Sequence, residues 1–349
     1  MSDTTLGETK SKTKQQGTPA RRRVFSGVQP SGELHIGNYL GALRQWVRHQ
    51  DASDNVFCVV DLHALTIPEQ IDPAALRDSA RKVAALYFAS GLDPERNIVF
   101  IQSRVREHSE LAWIFNCTTP LGWLQRMTQF KAKSRQFESI GSGLLVYPTL
   151  QAADILLYDT DEVPVGEDQR QHIELTRDIA VRFNHLFGET FVLPKAVIPE
   201  VGARVMGLDD PETKMSKSLA VTRPGHAIGL LDDARTIKKA IMSAVTDSAR
   251  ETRFEQASPG VRNLLGLYRV LSGESREAVE ARFAGQGYGQ LKKEVLEAVL
   301  ATLEPLQASY RELMKDPAYL EATLERGADR ARAIASKTMA RVRGATGLG

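Results

Sequence analysis

The chain has 349 residues, of which 42% are hydrophobic and 25% are charged, and its formal net charge is +2. This composition predicts a globular protein large enough for two domains, and no apolar run approaches the length of a membrane span. The two cysteines, Cys58 and Cys117, form no Cys-x-x-Cys pair. They argue against a disulfide framework or a zinc site and favour a reducing, cytoplasmic location.

The first segment, residues 1–22, is predicted to be a disordered basic tail. It is rich in Ser, Thr, Lys, Gln and Gly and has almost nothing apolar to bury. Its acidic residues and the lack of an amphipathic face argue against a mitochondrial presequence. Because the rest of the chain is slightly acidic, a nucleic-acid partner would have to be bound by a local basic patch.

Strands alternate with helices in the next part of the chain. The predicted elements are strands at 24–28, 55–60 and 97–102, a helix from about Ile36 to Val47 and a helix at 74–89. This alternation predicts an α/β fold, a Rossmann-type parallel sheet with crossover helices over residues 23–206. Ligands of such sheets bind at the carboxyl ends of the strands, where segments 27–29, 61–63 and 102–103 lie.

After about Gly207 the pattern becomes helical. The predicted helices are 230–247, 260–272, 276–283 and 290–314, with a further helix in 316–349. Pro305 is expected to kink or divide its helix, and the arginines of the last helix are expected to form a solvated face. We therefore expect a helical domain at 207–315 and a C-terminal helix, for which packing back on the first domain is one option.

The first segment with chemical meaning is 27–38, Gly-Val-Gln-Pro-Ser-Gly-Glu-Leu-His-Ile-Gly-Asn. A strand, a tight turn and a glycine in the opening helical turn bring backbone N–H groups close to a phosphate, and the helix N-terminus adds partial positive charge. The Asn38 amide can donate to a phosphate oxygen without a charge. The alternative is an ordinary βα loop in which Gly37 serves packing alone.

The second segment is Lys214-Met215-Ser216-Lys217-Ser218, which follows an acidic loop that contains a proline. Two ammonium groups three residues apart on flexible stems can follow a polyanion that moves during a reaction. Alone, such a run equally describes a solvated surface loop. Together, the two segments predict a nucleotide site.

Four motifs in this order and spacing resemble those of the tryptophanyl branch of the class I aminoacyl-tRNA synthetases. His35-Ile36-Gly37-Asn38 and the 214–218 run look like the signature pair of that class, with Asn38 where a second histidine usually stands. Residues 152–158, AADILLY, and 164–175, PVGEDQRQHIEL, resemble this branch closely. The resemblance implies activation of L-tryptophan by ATP, with release of pyrophosphate, and transfer to the 3′ end of tRNA(Trp).

The resemblance also implies which residues bind ATP. A carboxylate is already a nucleophile, so catalysis would consist of positioning and of stabilising phosphate charge, carried by Lys214, Lys217 and Asn38. Mg²⁺ would accompany ATP without a dedicated protein metal site, and Lys133 would reach a phosphate or remain a solvated charge. The implied ATP-site residues are Gln29, Pro30, Ser31, Gly37, Asn38, Gly166, Glu167, Asp168, Val205, Lys214, Met215, Ser216, Lys217 and Ser218.

Asp154 is the implied specificity residue. It lies in an apolar run, where an unpaired carboxylate is costly, and an indole N–H would give it a partner that phenylalanine lacks. Without the resemblance, a helix N-cap or a salt-bridged aspartate is the favoured interpretation. Gln151 stands where many bacterial members have methionine. The implied tryptophan-binding residues are Asp154, Phe25, His63, Tyr147, Gln151 and Gln169, with Tyr147 and Gln169 at the α-amino group.

Three alternatives remain open at this point. A tyrosyl-tRNA synthetase is the nearest, and Gln151 slightly favours it. The others are a synthetase-like paralogue that binds RNA without aminoacylating and a nucleotidyltransferase with a similar first motif. The family further implies anticodon recognition by the helical domain and a homodimer, whose interface residues 105–135 are apolar enough to supply. Candidate interface residues are Trp113, Phe115, Leu121 and Trp123.

Overall fold

The computed structural model describes residues 21–136, 140–198 and 205–349. At Gln70, Gln136, Lys217 and Ser218 only the backbone is described. The predicted tail therefore lies outside the described residues except for its last two positions. None of the described helices combines the length and the apolar character needed to cross a membrane.

A five-stranded, fully parallel sheet forms the centre of the first half of the chain, as predicted. Its strands stand in the order β3-β2-β1-β4-β5. Connections leave β1 in one direction and reach β4 in the other, which opens a crevice at the carboxyl ends of these two strands. The strands are β1 (Arg23–Val28), β2 (Asp54–Val59), β3 (Ile98–Ile101), β4 (Glu162–Pro164) and β5 (Lys195–Val197).

Helices cover both faces of this sheet. Phe57 and Val59 face the layer that contains α2 and α3, and Val56 and Cys58 face the layer that contains α4, α7 and α8, because successive side chains of a strand alternate between faces. A π-helical segment, Tyr39–Leu43, joins α1 to α2. The helices are α1 (Ile36–Asn38), α2 (Arg44–His49), α3 (Pro73–Ala89), α4 (Glu107–Thr118), α5 (Leu121–Gln125), α6 (Thr128–Lys133), α7 (Ser142–Leu156) and α8 (Arg170–Phe187).

The second half of the chain is helical in its described part. Its helices are α9 (Lys217–Thr222), α10 (Ala234–Met242), α11 (Pro259–Ser272), α12 (Arg276–Phe283), α13 (Tyr288–Lys315) and α14 (Pro317–Thr346). Pro305 lies inside α13 and does not divide it, so the second of its two expected effects does not occur. Pro305 and Ala301 are both exposed, so water can satisfy the carbonyl that proline leaves without a donor.

The last helix packs on the sheet half of the molecule. α14 contacts β3 and α4, and a Cβ added to Gly327 would lie 1.8 Å from the Val99 carbonyl oxygen. Arg330 is exposed, as expected of this face, but several arginines of α14 also form hydrogen bonds to the sheet half. Arg330 donates to the carbonyls of Pro94 and Asn97 at 2.7 and 3.0 Å. Arg332 and Arg343 likewise bond to the segment that contains β3 and α4.

The phosphate-binding motif of the first half is attached to the helical half. The Ile36 N–H donates to the Ile228 carbonyl at 2.9 Å, and the Leu230 N–H donates to the Leu34 carbonyl at 2.8 Å. One apolar cluster continues from α2 and α3 to α10, α11 and α13. The start of α1 is thereby held between the two halves.

Candidate active site

Asp154 lies in the last turn of α7 and is only 1% exposed. Its carboxylate accepts three hydrogen bonds from side chains beyond the ends of β2 and β3 and on α4. His63 Nε2 lies 2.7 Å from Oδ2. His108 Nδ1 and Gln102 Nε2 lie 2.6 and 2.5 Å from Oδ1. The helices and the sheet thus place three polar side chains around one buried carboxylate.

This carboxylate is ionised. Burial alone would raise its pKa, but the hydrogen bond from His108 and the charge and hydrogen bond of His63 outweigh burial and lower the pKa of Asp154 to about 2. The prediction that Asp154 would lack a partner without an indole N–H is therefore wrong. The paired aspartate that the sequence left as the alternative is what the structure contains.

The hydrogen-bonded network extends behind Asp154. His108 Nε2 lies 2.7 Å from the Tyr158 hydroxyl, and the Leu62 N–H donates to Gln102 Oε1 at 3.0 Å. The sequence placed His63 and Gln102 at strand ends but missed the roles of His108 and Tyr158. A signal existed: His108 stands at i, i+3, i+4 and i+7 spacing with buried Leu111, Ala112 and Phe115.

A second pair, of half-buried Tyr147 and buried His172, stands beside this network. The Tyr147 hydroxyl lies 2.8 Å from His172 Nε2. Burial raises the pKa of Tyr147 to about 12 and, as the largest cause, lowers the pKa of His172 to about 4, so both groups are neutral near pH 7. The Tyr147 ring also contacts the rings of His63 and His172, and Lys133 Nζ lies 5.9 Å from its centre.

The other residues implied to bind the amino acid, Gln151, Gln169 and Phe25, differ in how deeply they are buried. Gln151 is half-buried on α7, one turn before Asp154. Gln169 is also half-buried and donates to Asp168 Oδ2 at 3.0 Å. Phe25 is 4% exposed and stacks on Tyr158 at 5.7 Å. Phe25 therefore belongs to the core behind Asp154.

The first motif presents polar groups at the opening of α1. Asn38 Oδ1 accepts the His35 N–H at 3.1 Å, and among the described residues the Asn38 NH₂ group remains available as a donor. A Cβ added to Gly37 would lie 3.0 Å from the His35 ring and 3.6 Å from Val205 Cβ. Gly37 thus allows close packing of His35 and Val205. In the preceding turn Gln29 reaches the His63 carbonyl at 3.4 Å, Pro30 is buried and Ser31 is exposed.

The second motif lies against Val205 and Met206. Lys214 forms an antiparallel bridge with Met206, and the Met215 N–H donates to the Val205 carbonyl at 3.1 Å. The Met215 side chain is 1% exposed, and Ser216 caps the N-terminus of α9. The side chains of Lys217 and Ser218 lie outside the described residues, as does segment 199–204. The run is thus anchored in the core at its centre.

The 164–175 motif and the 214–218 run meet at one ion pair. Lys214 Nζ lies 3.8 Å from Asp168 Oδ1, and both side chains are more than half exposed. Burial opposes ionisation of Asp168, but the hydrogen bond from Gln169 and the charge of Lys214 lower the pKa of Asp168 overall. Glu167 is bound by Arg170 through two hydrogen bonds at 2.6 and 2.9 Å. Gly166 brings the backbone close to Asp168, since a Cβ there would lie 2.8 Å from Oδ1.

Two adjoining sets of groups result. The buried carboxylate of Asp154 can accept an N–H or O–H donor, and the Tyr147 hydroxyl and Gln169 amide lie on the same side of the sheet. The Asn38 amide, the N-terminus of α1 and the Lys214 ammonium can stabilise an anion. The arrangement suits an amino acid with a polar side-chain tip next to a polyphosphate.

Comparisons with known proteins show the family to which the chain is similar. Residues 18–304 match the model of the family described as tRNA synthetases class I (W and Y). A tryptophan–tRNA ligase of Wolinella succinogenes is 51% identical over 329 residues, which are 94% of this chain and 99% of that protein. A tryptophan–tRNA ligase of Caldanaerobacter subterraneus subsp. tengcongensis is 52% identical over 328 residues, 94% and 98% of the two chains.

Solved structures give the same result. The tryptophanyl-tRNA synthetase of Campylobacter jejuni, complexed with ADP and tryptophan, superposes with a TM-score of 0.80 at 38% identity, over 93% of this chain and all of that one. The tryptophanyl-tRNA synthetase of Mycoplasma pneumoniae superposes with a TM-score of 0.86 at 36% identity, over 94% and 98% of the two chains.

Proposed function

The chain belongs to the class I tRNA synthetase family of tryptophan and tyrosine enzymes, and on that premise we propose how its site performs the reaction of a tryptophan–tRNA ligase. It is an ATP-dependent aminoacyl-tRNA ligase. It activates tryptophan with ATP and then transfers the tryptophanyl group to tRNA. The observation that carries the assignment to particular residues is the ionised, buried Asp154 at the carboxyl end of the sheet.

Asp154 recognises the indole. A carboxylate offers about four acceptor positions, and the described structure uses three of them, one from each of His63, His108 and Gln102. The remaining position accepts the indole N–H, and phenylalanine leaves it empty. Because the carboxylate keeps three partners in either case, discrimination against phenylalanine comes from this single hydrogen bond, about ten- to a hundredfold, and from the shape of the pocket.

The α-ammonium group is bound by Tyr147 and Gln169. Tyr147 is neutral because burial raises its pKa to about 12, so its oxygen accepts from the ammonium group. The substrate carboxylate is thereby directed towards the opening of α1. This orientation holds the nucleophile in line with the α-phosphate of ATP, and positioning of this kind supplies much of the rate enhancement.

The first step needs no general base. A carboxylate oxygen of tryptophan attacks the α-phosphorus, the bond to the bridging oxygen breaks, and pyrophosphate leaves. The Asn38 amide, the N-terminus of α1, Lys214 and Lys217 stabilise the charge that develops on the phosphate oxygens. Mg²⁺ enters with ATP as part of the substrate and supplies further charge neutralisation through the phosphate oxygens.

The second step uses tRNA(Trp). A hydroxyl of its terminal ribose attacks the carbonyl carbon of tryptophanyl-adenylate, and AMP leaves. The helical half, residues 207–315, binds the anticodon in this proposal. A direct test charges transcripts of tRNA(Trp) and tRNA(Tyr) with radiolabelled amino acids. We expect tryptophan on tRNA(Trp) alone, whereas binding of the tRNA without any charging would favour the non-aminoacylating paralogue.

The active unit is a homodimer. Trp113 on α4 is 69% exposed and Leu121 on α5 is 58% exposed, although large apolar side chains of this kind are usually covered. Val181 on α8 is 51% exposed, and the neighbouring Arg182 donates to the Thr118 carbonyl at the end of α4. A second copy covers this surface. The interface does not include Phe115, which is fully buried in the core of its own chain.

A further inference from the structure

His108 and Tyr158 lie behind Asp154, on the side away from the opening of the site. We propose that His108, itself held by Tyr158, is a positioning residue that fixes the orientation of the Asp154 carboxylate, so that a single acceptor position of Oδ2 is left for the indole N–H. This inference rests on the proposed function, since it concerns the same subsite. It assigns tryptophan selectivity partly to two residues that do not touch the amino acid.

The direction of each hydrogen bond follows from the chemistry of its partners. An ionised carboxylate only accepts, so His108 carries a proton on Nδ1, which lies 2.6 Å from Asp154 Oδ1. The Nε2 atom of a neutral imidazole then accepts, and Tyr158 donates its hydroxyl proton at 2.7 Å. Burial raises the pKa of Tyr158 well above its usual value, so this proton is present.

With a neutral His108, both ring nitrogens of His108 and the Tyr158 hydroxyl have a hydrogen-bond partner. A cationic His108 would donate to Tyr158 instead, and the Tyr158 proton would then need another acceptor. Among the residues that the structure describes, the Tyr158 hydroxyl has no hydrogen-bond partner except His108. His108 and Tyr158 are both 0% exposed, so bulk solvent does not reach the hydroxyl. The two hydrogen bonds therefore point in one direction: Tyr158 donates to His108, and His108 donates to Asp154.

Exposure decides which acceptor position stays open. Gln102 and His108 are fully buried and both donate to Oδ1. His63 donates to Oδ2, and its side chain is 11% exposed. The two donors on the buried side occupy Oδ1 and prevent rotation of the carboxylate, and the unfilled position belongs to Oδ2, on the more exposed side.

Aromatic contacts hold the two rings in place without the hydrogen bonds. Tyr158 stacks on Phe25 with an interplanar angle of 9° and meets Phe100 edge-on. His108 also contacts Phe100, at 5.8 Å. Replacement of Tyr158 by phenylalanine therefore keeps the packing and removes only the hydroxyl. Such a variant separates the positioning role from a general contribution to the core.

The test compares two substrates in three variants of the full-length protein. L-Tryptophan has the indole N–H, and β-(benzothiophen-3-yl)-L-alanine replaces it with sulfur. We would measure kcat/KM for amino-acid-dependent pyrophosphate exchange with His108→Leu, His108→Asn and Tyr158→Phe. His108→Asn retains an N–H near the position of Nδ1. The matched control is Tyr87→Phe, which removes another fully buried hydroxyl, one that donates to the Cys58 carbonyl at 3.3 Å.

The ratio of the two kcat/KM values is the decisive quantity. We expect His108→Leu to lower the preference for tryptophan about ten- to a hundredfold, since one charge-assisted hydrogen bond is lost or misdirected. Tyr158→Phe should lower it several-fold, His108→Asn should restore part of it, and Tyr87→Phe should leave it unchanged. Equal losses for both substrates in all variants would mean a structural role only and would overturn the inference.

A measurement on the wild-type protein covers the case in which the His108 variants do not fold. ¹⁵N NMR of protein labelled at histidine distinguishes the two imidazole tautomers. His108 should be protonated at Nδ1 only, and protonation at Nε2 would overturn the inference. Failure of the proposed function gives a different result. The wild-type protein would then show no tryptophan-dependent pyrophosphate exchange, whichever tautomer His108 adopts.

Discussion

At the scale of single residues, the site joins titratable groups to one another by hydrogen bonds, His63 and His108 to Asp154 and Tyr147 to His172. Asp154 stays ionised because His108 and His63 compensate for burial, whereas Tyr147 and His172 stay neutral because burial is not compensated. Asp154 thus carries a fixed negative charge, and Tyr147 and His172 beside it are neutral near pH 7. A fixed negative charge favours a hydrogen-bond donor of the substrate. The neutral groups beside it do not repel the charged ammonium and carboxylate groups of the amino acid.

His172 gives a prediction for acid stability. The folded protein holds its imidazole neutral down to about pH 4, whereas an unfolded chain takes up the proton near pH 6.5. Acidification through this window therefore favours unfolding, and His172 should lower the free energy of unfolding by about 2 kcal/mol between pH 7 and pH 5. Urea unfolding of the wild-type protein and of His172→Gln at both pH values measures this component.

The control for this experiment lies on the same helix. His185 is exposed near the end of α8, so His185→Gln should leave the pH dependence of stability as it is in the wild type. If His172→Gln retained the full wild-type pH dependence, the imidazole would not be held neutral by burial.

The sequence predicts the residues of the site better than their contacts. The strand-end rule brought His63 and Gln102 to one edge of the sheet, and both now bond to Asp154. The interaction of Asp154 with His108 was not predictable, since it joins α4 to α7 across 46 positions and depends on how the two helices pack. The resemblance to the synthetase family identified Asp154 as a site residue. Only the tertiary structure shows which side chains form hydrogen bonds to its carboxylate.

At the scale of elements, the 214–218 run forms a bridge and the start of a helix. Lys214 pairs with Met206, Met215 is buried, and α9 begins at Lys217. Asn263 on α11 bonds to both backbone polar groups of Met206 at 2.9 and 3.0 Å. The helical half therefore supports the lysines, and a shift of α11 would move them relative to the sheet.

Lys217→Ala should act on chemistry more than on binding. If the lysine stabilises the leaving pyrophosphate, kcat for tryptophan-dependent exchange should fall about a hundredfold or more, while the dissociation constant for tryptophan stays nearly unchanged. Lys239→Ala, which alters an exposed lysine on α10, is the control. Equal losses in kcat and in tryptophan affinity would contradict the role at the transition state.

The contact between α14 and β3 gives a prediction for stability. Gly327→Ala would place a methyl group 1.8 Å from the Val99 carbonyl oxygen, so the helix must move away from the sheet. The free energy of unfolding should fall by about 1–3 kcal/mol or more. Gly344→Ala on the same helix meets nothing within 4 Å and should be neutral or slightly stabilising. Equal stability of the two variants in urea would show that α14 is not held against β3.

Local signals predicted the type of most elements but not their continuity. Helices were expected at 260–272 and 276–283, and α11 and α12 lie there. Pro305 removes one backbone hydrogen bond from α13. Leu303 and Leu306 nevertheless remain buried on either side of Pro305, and this packing keeps the helix whole. Arginines that read as solvated in α14 bond to carbonyls of another part of the chain, which no local pattern could reveal.

At the scale of the whole molecule, the exposed apolar surface of α4, α5 and α8 predicts self-association. Trp113→Glu places a charge in the proposed interface and should convert a dimer into a monomer, as measured by sedimentation velocity. Tyr319→Glu changes a residue on α14 that is 48% exposed and should leave the assembly unchanged. A wild-type protein that sediments as a monomer at micromolar concentration would contradict the proposed dimer.

The two halves of the molecule are less separate than the change in sequence pattern at Gly207 suggests. α13 packs on α3, and the apolar core is continuous between them. Alternation of strands and helices predicted the parallel sheet, because this pattern reflects local chain geometry. It could not predict how the helical half docks, since docking depends on which faces of α3 and α13 meet.

The most direct test of the central claim is amino-acid-dependent exchange of pyrophosphate with ATP. The purified full-length protein would be assayed with each of L-tryptophan, L-tyrosine and L-phenylalanine in the presence of Mg²⁺. We predict rapid exchange with tryptophan and little or none with the other two, because Asp154 offers one acceptor position in a pocket shaped for indole. Exchange with tyrosine but not with tryptophan, or no exchange with any amino acid, would contradict the account.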